Sequence, residues 1–451
     1  MPDAFDRDEH PGKPRILFIG WPESSHTHSW IDLLGGSEVN CRLFCLPSAE
    51  PPQEWPVKSY ITAPGLAWRL TDTRKTIFPP PSGTIGHLEY LAAEARGKGV
   101  LKGRSEALVT RTIGVLNRLP ARHHAVNLEA ALAEVIRAWQ PDVIHTLGLD
   151  PASFFYMRTR KQFDLGGIGR WIIQARGGPD LTLLPFAPTT KALIAECLQN
   201  CDHFICDNAQ NYEIATKLGL ASFKATDPGM GVVSGAGGMD IDQMVQTWSL
   251  LPSQRERVIV WPKAYETYTA KAMPVFEAIV KVWDAIQPCR IELLWMTQPE
   301  VQIWYEKFFP DHIKAKCQAS LRLSREETLR HIAEARVMLA PSIADGIPNT
   351  MMEAMALGAV PIVSPLDTIT PVVQEGVNVL FAHNLYPDQI ADAIVRAMRD
   401  DDLVDQIARN NLVRIRELSD RSRIRAKALD YYSIVASRSR ERLTPAQKVA
   451  L

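Results

Sequence analysis

The stretch PSIADGIPNTMMEAMALGAVPIVS, residues 341–364, places two carboxylates, Asp345 and Glu353, between two apolar runs. These runs, Val337–Ala340 and Val360–Val363, are short and almost entirely apolar, which predicts two buried strands. The connection between them combines a Gly-Ile-Pro turn with a helix-forming segment. This strand–loop–helix–strand order is typical of an α/β domain with a parallel sheet.

The predicted helix begins at Asn349 or Thr350, both good N-cap residues, and ends before Gly358. One interpretation of the two acids is structural: Thr350 and Glu353 form a capping box, and Asp345 is a favourable charge near the helix N-terminus. The other is functional, because free N–H groups at a helix N-terminus bind anions and carboxylates bind sugar and ribose hydroxyls. A nucleotide sugar combines a diphosphate with both kinds of hydroxyl.

Strands and helices alternate over most of the chain. Apolar runs predict strands over residues 15–20, 41–46, 142–145, 171–175, 203–206, 258–261, 291–295, 337–340 and 360–363. Helical patterns lie between them, over residues 29–34, 128–139, 191–198, 273–285, 324–335 and 387–398, and a long basic helix ends the chain. We therefore expect two doubly wound α/β domains with a ligand cleft between them.

A Gly-rich stretch over residues 229–242 separates the two series. The predicted domains are residues 1–245 and 246–425, and the helix over 426–451 is expected to pack back on the first domain. Residues 50–125 fit the alternation poorly and are interpreted as a partly helical insertion. Its cations, from Arg96 to Arg122, form either a solvated basic face or a patch for an anionic acceptor.

Composition excludes several classes of protein. The chain has 451 residues, is 46% hydrophobic and 22% charged, and has a formal net charge of −1, so we expect no nucleic-acid partner. We see no signal peptide and no run long enough to span a membrane, so membrane contact is expected to be at most peripheral. Seven cysteines without a CxxC pair indicate a reduced, cytoplasmic protein without a zinc site.

The motif PS-x-x-D-G-x-P-N-x-x-x-E-A-M-A-x-G-x-x-P-I resembles the donor-site signature of retaining glycosyltransferases of family 4. The resemblance covers residues 324–398 and includes Glu375-Gly-Val-Asn378, which is similar to the family's EGxNG turn. It implies the GT-B fold, in which two Rossmann-like domains face each other across a cleft. The usual family form is Glu-x7-Glu, whereas this chain has Asp345-x7-Glu353. The resemblance therefore leaves the identity of the donor sugar undetermined.

The resemblance also implies roles for the residues of this motif. Asp345 would hold the hydroxyls of the donor sugar and Glu353 those of the ribose. The remaining donor-binding residues would lie between them, at the turn and at the diphosphate end of the helix: Gly346, Ile347, Pro348, Asn349 and Thr350. The family uses two cations after the first strand of its second domain, and the cations in that loop here are Lys263 and Lys271.

The first half matches the family more loosely. Ser25-His26-Thr27 resembles the family's SHTxRW start, and Arg176-Gly-Gly-Pro-Asp180 resembles its RGSD loop, so His26 and Arg176 are expected to contact the acceptor. His145 stands at the first position of the family's HxH, whose second position is Leu147 here. His145 is therefore either a catalytic residue or a core histidine. Asp240-Ile-Asp242 lies in the linker and is interpreted as structural, so no metal or other cofactor is expected.

The implied reaction is retaining transfer of a sugar from a nucleotide-diphosphate sugar to the hydroxyl of a glycan, lipid-linked or small-molecule acceptor. Two alternatives remain at this stage. The chain could be an inactive GT-B binding or scaffold protein, or a GT-B nucleotide-sugar epimerase. No carboxylate pair is placed as in a glycoside hydrolase, and no GxGxxG motif follows a strand, which argues against a dinucleotide dehydrogenase.

Overall fold

Two parallel sheets with helices on both faces make up the protein. In the computed structural model, the described residues are 5–48, 50–62, 74–78, 127–177, 179–225, 237–247, 250–321 and 323–441, with a few residues between 92 and 112. Most of the predicted basic segment 96–122 lies outside the described residues. Within them, no helix is long and apolar enough to cross a lipid bilayer.

The first sheet has seven strands in the order β4-β3-β2-β1-β5-β6-β7. Its strands are β1 (Arg15–Gly20), β2 (Asn40–Cys45), β3 (Lys58–Ile61), β4 (Lys75–Ile77), β5 (Val143–Leu147), β6 (Arg170–Ala175) and β7 (His203–Cys206). The helices connected to it are α1 (Ser25–Ile31), α2 (Leu128–Trp139), α3 (Phe154–Gln162), α4 (Pro188–Asn200) and α5 (Ala209–Lys217). The order reverses between β1 and β5.

The second sheet has six strands in the order β10-β9-β8-β11-β12-β13. Its strands are β8 (Val258–Trp261), β9 (Arg290–Leu293), β10 (Cys317–Ala319), β11 (Val337–Ala340), β12 (Val360–Val363) and β13 (Leu380–Phe381). The helices that follow the first sheet are α6 (Ile241–Gln246), α7 (Met273–Val282), α8 (Pro299–Phe308), α9 (Asp311–Lys314), α10 (Arg325–Glu334), α11 (Asn349–Leu357), α12 (Pro387–Arg399), α13 (Asp401–Ser419) and α14 (Arg421–Glu441). Here the order reverses between β8 and β11.

Each sheet is buried on both faces, which explains its continuous apolar strands. In β11, Val337 and Leu339 pack into one core cluster, while Met338 and Ala340 pack into the cluster on the opposite face. The predicted strands 15–20, 203–206, 258–261, 337–340 and 360–363 are confirmed with their bounds. The predicted capping box at Ser324 is also confirmed, because Ser324 and Glu327 exchange two hydrogen bonds of 3.1 and 2.8 Å.

Two expectations for the first half are wrong. Residues 50–125 are not simply an insertion, since β3 and β4 lie there and extend the first sheet. The helix predicted over residues 29–34 begins one turn earlier, at Ser25, so His26 lies on α1 rather than in the preceding loop.

The chain crosses between the two domains twice, side by side. Met239 N–H donates to Ser419 O (2.8 Å), and Arg421 N–H donates to Met239 O (3.0 Å). Gly238 is required at this crossing, because its φ is +82° and a Cβ atom would lie 2.7 Å from Ser419 O. After the crossing, α14 packs on the first sheet, where Tyr432 belongs to the same apolar cluster as β1 and β5.

Candidate active site

The candidate site lies where the carboxyl ends of strands from both sheets meet. The β11–α11 loop, residues 341–348, follows the reversal point of the second sheet, and the β6 loop containing Gly177 approaches it from the first domain. A Cβ atom on Gly346 would lie 2.5 Å from Gly177 Cα and 2.7 Å from Asp207 Oδ2. The sequence interpretation expected Gly346 to admit a ligand. In the structure, the absence of a side chain at Gly346 lets the Gly177 loop of the first domain approach it closely.

The predicted acid and one predicted lysine form a pair. Lys263 Nζ lies 3.1 Å from Asp345 Oδ2, and both side chains are partly exposed. Burial acts to lower the pKa of Lys263, but the Asp345 carboxylate and Tyr265 raise it above the ordinary lysine value. Lys263 therefore stays protonated at the carboxyl ends of β8 and β11, where an anionic ligand would bind.

The β8 loop is held against the β11 loop by the backbone of Thr269. Its carbonyl accepts hydrogen bonds from Ile343 N–H (2.6 Å) and Ala344 N–H (3.2 Å). Lys271 lines the same small cavity as Lys263 and Asp345, but its Nζ is paired with Glu266 (2.7 Å). The structure therefore brings both predicted lysines to one cavity, while only Lys263 contacts the predicted acid.

The N-terminus of α11 is open. Pro348 is the N-cap, and no side chain caps the helix, so the predicted caps at Asn349 and Thr350 and the capping box with Glu353 are wrong. Among the described residues, the N–H groups of Ile347, Asn349 and Thr350 have no acceptor, and Thr350 Oγ1 is buried without a partner. Such a helix end attracts anions.

Glu353 makes an ion pair instead of a cap. Its Oε1 lies 3.0 Å from Arg325 Nη2, at the start of α10, and its side chain is buried. Burial raises the pKa of Glu353, whereas Arg325 and Lys263 act to lower it. Arg325 was not identified from the sequence, because its contact with Glu353 joins two separate helices, α10 and α11, which lie on either side of β11 in the chain.

The wall formed by the first domain carries His26 and Arg176. Burial, with the charges of Arg176 and Lys263, lowers the pKa of His26 to about 4, so the imidazole is neutral at pH 7. Arg176 Nη2 donates to His26 O (3.4 Å), and Arg176 Nη1 donates to Thr27 Oγ1 (3.5 Å). Burial lowers the pKa of Arg176 to about 10, which leaves it charged at pH 7.

Two acids of the first domain, of which Asp207 is buried, position the β6 loop. Asp180 Oδ2 accepts hydrogen bonds from the N–H groups of Arg176 (2.9 Å) and Leu149 (3.2 Å). Asp207 Oδ2 accepts one from Gly177 N–H (3.0 Å). Burial raises the pKa of Asp180 to about 6 and that of Asp207 to about 7. Asp180 was visible as the end of the RGGPD motif, whereas no sequence signal identified Asp207.

His145 is placed in the core. It lies in the middle of β5 and is 0% exposed, and its Nδ1 is 2.5 Å from the Tyr432 hydroxyl, which also accepts a hydrogen bond from Trp30 Nε1 (2.9 Å). Burial lowers the pKa of His145 well below its usual range. This placement favours the core histidine over the catalytic one.

The two acids of the linker, Asp240 and Asp242, make structural contacts. Asp240 Oδ1 caps α6 by accepting from Gln243 N–H (3.0 Å), and Asp242 pairs with Arg416 (2.7 Å). In the part of the chain that the structure describes, no three His, Cys, Asp or Glu side chains are grouped as metal ligands. A larger groove, whose lining includes Arg325, follows α10 to Glu256 and Arg290, at the amino ends of β8 and β9.

Known structures share this two-sheet architecture. HepE from Anabaena, solved with UDP and glucose, is 12% identical, with a TM-score of 0.60 over 93% of this chain and 99% of its own. Sucrose-phosphate synthase from Thermosynechococcus elongatus is 13% identical, with a TM-score of 0.62 over 94% and 100%. A glycosyltransferase from Rickettsia africae is 12% identical, with a TM-score of 0.58 over 94% and 99%. The chain has the GT-B fold.

Sequence comparison reaches a shorter part of this GT-B chain. Residues 275–400 match the family model described as glycosyl transferases group 1. No curated protein matches the chain. The matched segment contains Asp345, the α11 N-terminus and Glu353, which are the residues that the structure gathers on the second-domain side of the GT-B cleft.

Proposed function

We propose that the protein is a retaining glycosyltransferase that moves a sugar from a nucleotide-diphosphate sugar to an acceptor hydroxyl. One observation carries the proposal. An uncapped helix N-terminus, a protonated lysine and two carboxylates converge at the carboxyl ends of β8 and β11. A diphosphate with a hydroxyl-bearing group on each side has the chemistry that this set would bind. HepE, which shares the fold, has also been solved with UDP-glucose.

Each of these groups would bind a different part of the donor. The N–H groups at the start of α11 would bind the diphosphate, with Lys263 and Lys271 opposing the negative charge of the leaving group. Asp345 would accept hydrogen bonds from sugar hydroxyls, and Glu353 from ribose hydroxyls. Because Lys263 and Asp345 partner each other at 3.1 Å, both charges stay compensated until a donor offers phosphate to one and hydroxyls to the other.

Transfer would occur on the front face of the donor. The acceptor oxygen forms the new bond to the anomeric carbon as the bond to the diphosphate breaks, and the acceptor proton passes to a phosphate oxygen of the leaving group. The protein would contribute positioning, charge stabilisation and exclusion of water rather than a proton-transfer residue. His145 is buried away from this chemistry, which fits a mechanism that needs no histidine base.

The cellular setting follows from the same proposal. We expect a hexosyl-type transferase that acts in cytoplasmic glycan or polysaccharide synthesis, needs no metal and contacts membranes at most peripherally. Its acceptor would be a glycan, a lipid-linked sugar or a small molecule, and nucleic acid is not expected as a partner.

The first experiment is a thermal-shift panel of nucleotide sugars. A donor at 100 times its dissociation constant should stabilise the folded protein by about 2.7 kcal/mol. Asp345→Ala and Glu353→Ala should remove this shift, whereas Asp388→Ala, a matched change of an acid that is 77% exposed, should not. A flat response to every nucleotide sugar and nucleoside diphosphate would overturn the proposal.

Product analysis separates the remaining alternatives. NMR of the product should show the same anomeric configuration as the donor, and an inverted product would contradict retention. Binding without transfer or hydrolysis would instead indicate a scaffold protein. Conversion of the donor sugar in the absence of an acceptor would indicate an epimerase.

A further inference from the structure

Arg176 carries a charge that the protein does not compensate by direct contact. Its two side-chain hydrogen bonds, of 3.4 and 3.5 Å, are long and go to neutral oxygens of His26 and Thr27. Its Nε is buried and has no hydrogen-bond partner. Among the described residues, no carboxylate lies within ion-pair distance of the guanidinium. A partly buried cation that has no carboxylate partner is a candidate to pair with an anionic ligand.

The nearby carboxylates are engaged elsewhere. Asp180 and Asp207 accept backbone N–H groups of the β6 loop. In the second domain, Asp345 pairs with Lys263, and Glu353 pairs with Arg325. Each acid around the cleft therefore has its own partner. The charges of Asp180 and Asp207 still attract Arg176 from a distance, but they leave its donors unbonded.

Other groups around Arg176 could also contact a polar ligand. The His26 imidazole lies close enough to Arg176, Lys263 and Arg325 for all three cations to lower its pKa. Gln174, in β6 two residues before Arg176, has a buried Oε1 without a partner, and this oxygen can accept a hydrogen bond from a hydroxyl of the same acceptor. The first-domain wall thus combines the Arg176 guanidinium with unused hydrogen-bonding atoms, beside the place where Gly346 meets Gly177.

Building on the glycosyltransferase function above, we propose that the acceptor carries an anionic group, a phosphate or a carboxylate, and that Arg176 binds it. A guanidinium fork matches both groups with two parallel hydrogen bonds. The donor diphosphate is already served by the α11 N-terminus, Lys263 and Lys271, all in the second domain. Arg176 stands on the opposite wall, so its anion belongs to the second substrate.

The experiment measures anion binding with the donor site filled. The full-length protein is saturated with the nucleoside diphosphate that the donor panel identifies, and its melting temperature is then followed against inorganic phosphate, glucose 6-phosphate, glucuronate and glucose. We expect at least one anion to raise the melting temperature of the wild type and glucose to have no effect. Comparison of glucose 6-phosphate with glucuronate shows whether the site prefers a phosphate or a carboxylate group.

Three variants locate the site. Arg176→Gln should weaken the anion affinity at least tenfold, and Arg176→Lys, which keeps the charge but loses the fork, should weaken it less. Arg158→Gln removes a surface arginine of the same domain that is 58% exposed and should change nothing. If Arg176→Gln does not fold, the anion affinity of Arg176→Lys is compared with that of the wild type, and a weaker affinity supports the inference.

The outcomes are distinct from those of the donor test. Absence of any anion-dependent shift in the wild type, an equal shift with neutral glucose, or an undiminished shift in both Arg176 variants would overturn the inference. If no nucleotide binds at all, the proposed function fails instead, and phosphate binding at Arg176 can still be measured on the free protein.

Discussion

Gly346→Ala tests whether the observed contact between the domains belongs to the active state. The backbone of Gly346 is not left-handed, so alanine introduces no backbone strain. Its Cβ, however, would lie 2.5 Å from Gly177 Cα and 3.0 Å from Gly177 C. Ordinary carbon contacts are about 3.5–4.0 Å, so the two loops would have to separate by about 1 Å.

The expected magnitude follows from where this strain can be relieved. Overpacking against backbone atoms costs about 1–3 kcal/mol. Because Gly177 belongs to the other domain, opening the cleft removes the clash without disturbing either core. We therefore expect the closed state to be disfavoured by about this amount, which corresponds to a population change of about 5- to 150-fold. The turnover number should fall by a similar factor.

The assay combines steady-state transfer with urea unfolding and small-angle scattering. Gly346→Ala should unfold at the wild-type urea concentration, turn over more slowly and have a larger radius of gyration. Gly167→Ala is the control, because it adds the same methyl group where nothing lies within 4 Å. A Gly346→Ala protein with wild-type turnover and wild-type dimensions would show that this contact plays no part in the reaction.

Three further predictions concern single side chains, and a fourth concerns a metal ion. Burial raises the pKa of Asp207 to about 7, above about 4 in the unfolded chain, so the folded state holds the extra proton, and the contribution of Asp207 to stability should be lost as pH rises from 4 to 7, by at most about 1.4 kcal/mol per unit. The difference between the urea-derived stabilities of the wild type and Asp207→Asn should therefore change over this pH range, and parallel profiles would contradict the assignment. Lys263→Met, which leaves Asp345 unpaired, should lower the turnover number about 10²- to 10³-fold, and an unchanged value would remove this lysine from the mechanism. Tyr432→Phe deprives Trp30 Nε1 of its acceptor and should lower the free energy of unfolding by about 1–3 kcal/mol in denaturant titrations, whereas an unchanged midpoint would mean that the bond is dispensable. Finally, EDTA should leave the transfer rate unchanged, and a loss that Mg²⁺ or Mn²⁺ restores would show that a metal takes part.

Much of the fold was predictable because its signals are local. The strands around the candidate site are short apolar runs bounded by turn residues, so their bounds could be predicted without any knowledge of neighbours. Strands β3 and β4 were missed because each begins with a lysine, Lys58 or Lys75, and has few apolar residues. In the structure, the Lys75 ammonium donates to Trp55 O and Val57 O, and Lys58 Nζ donates to Phe5 O. Those partners come from other segments and cannot be inferred from a single strand.

The candidate site divides in the same way. The sequence by itself determined that an acid, a turn and a helix N-terminus follow β11, because all three lie within a few residues of one another. Only the tertiary structure decided that Glu353 pairs with Arg325, that Gly346 touches Gly177, and that His145 is enclosed by α14. The physical reason is distance along the chain: backbone pattern and capping depend on adjacent residues, whereas ion pairing, burial and pKa depend on which remote segments the fold brings into contact.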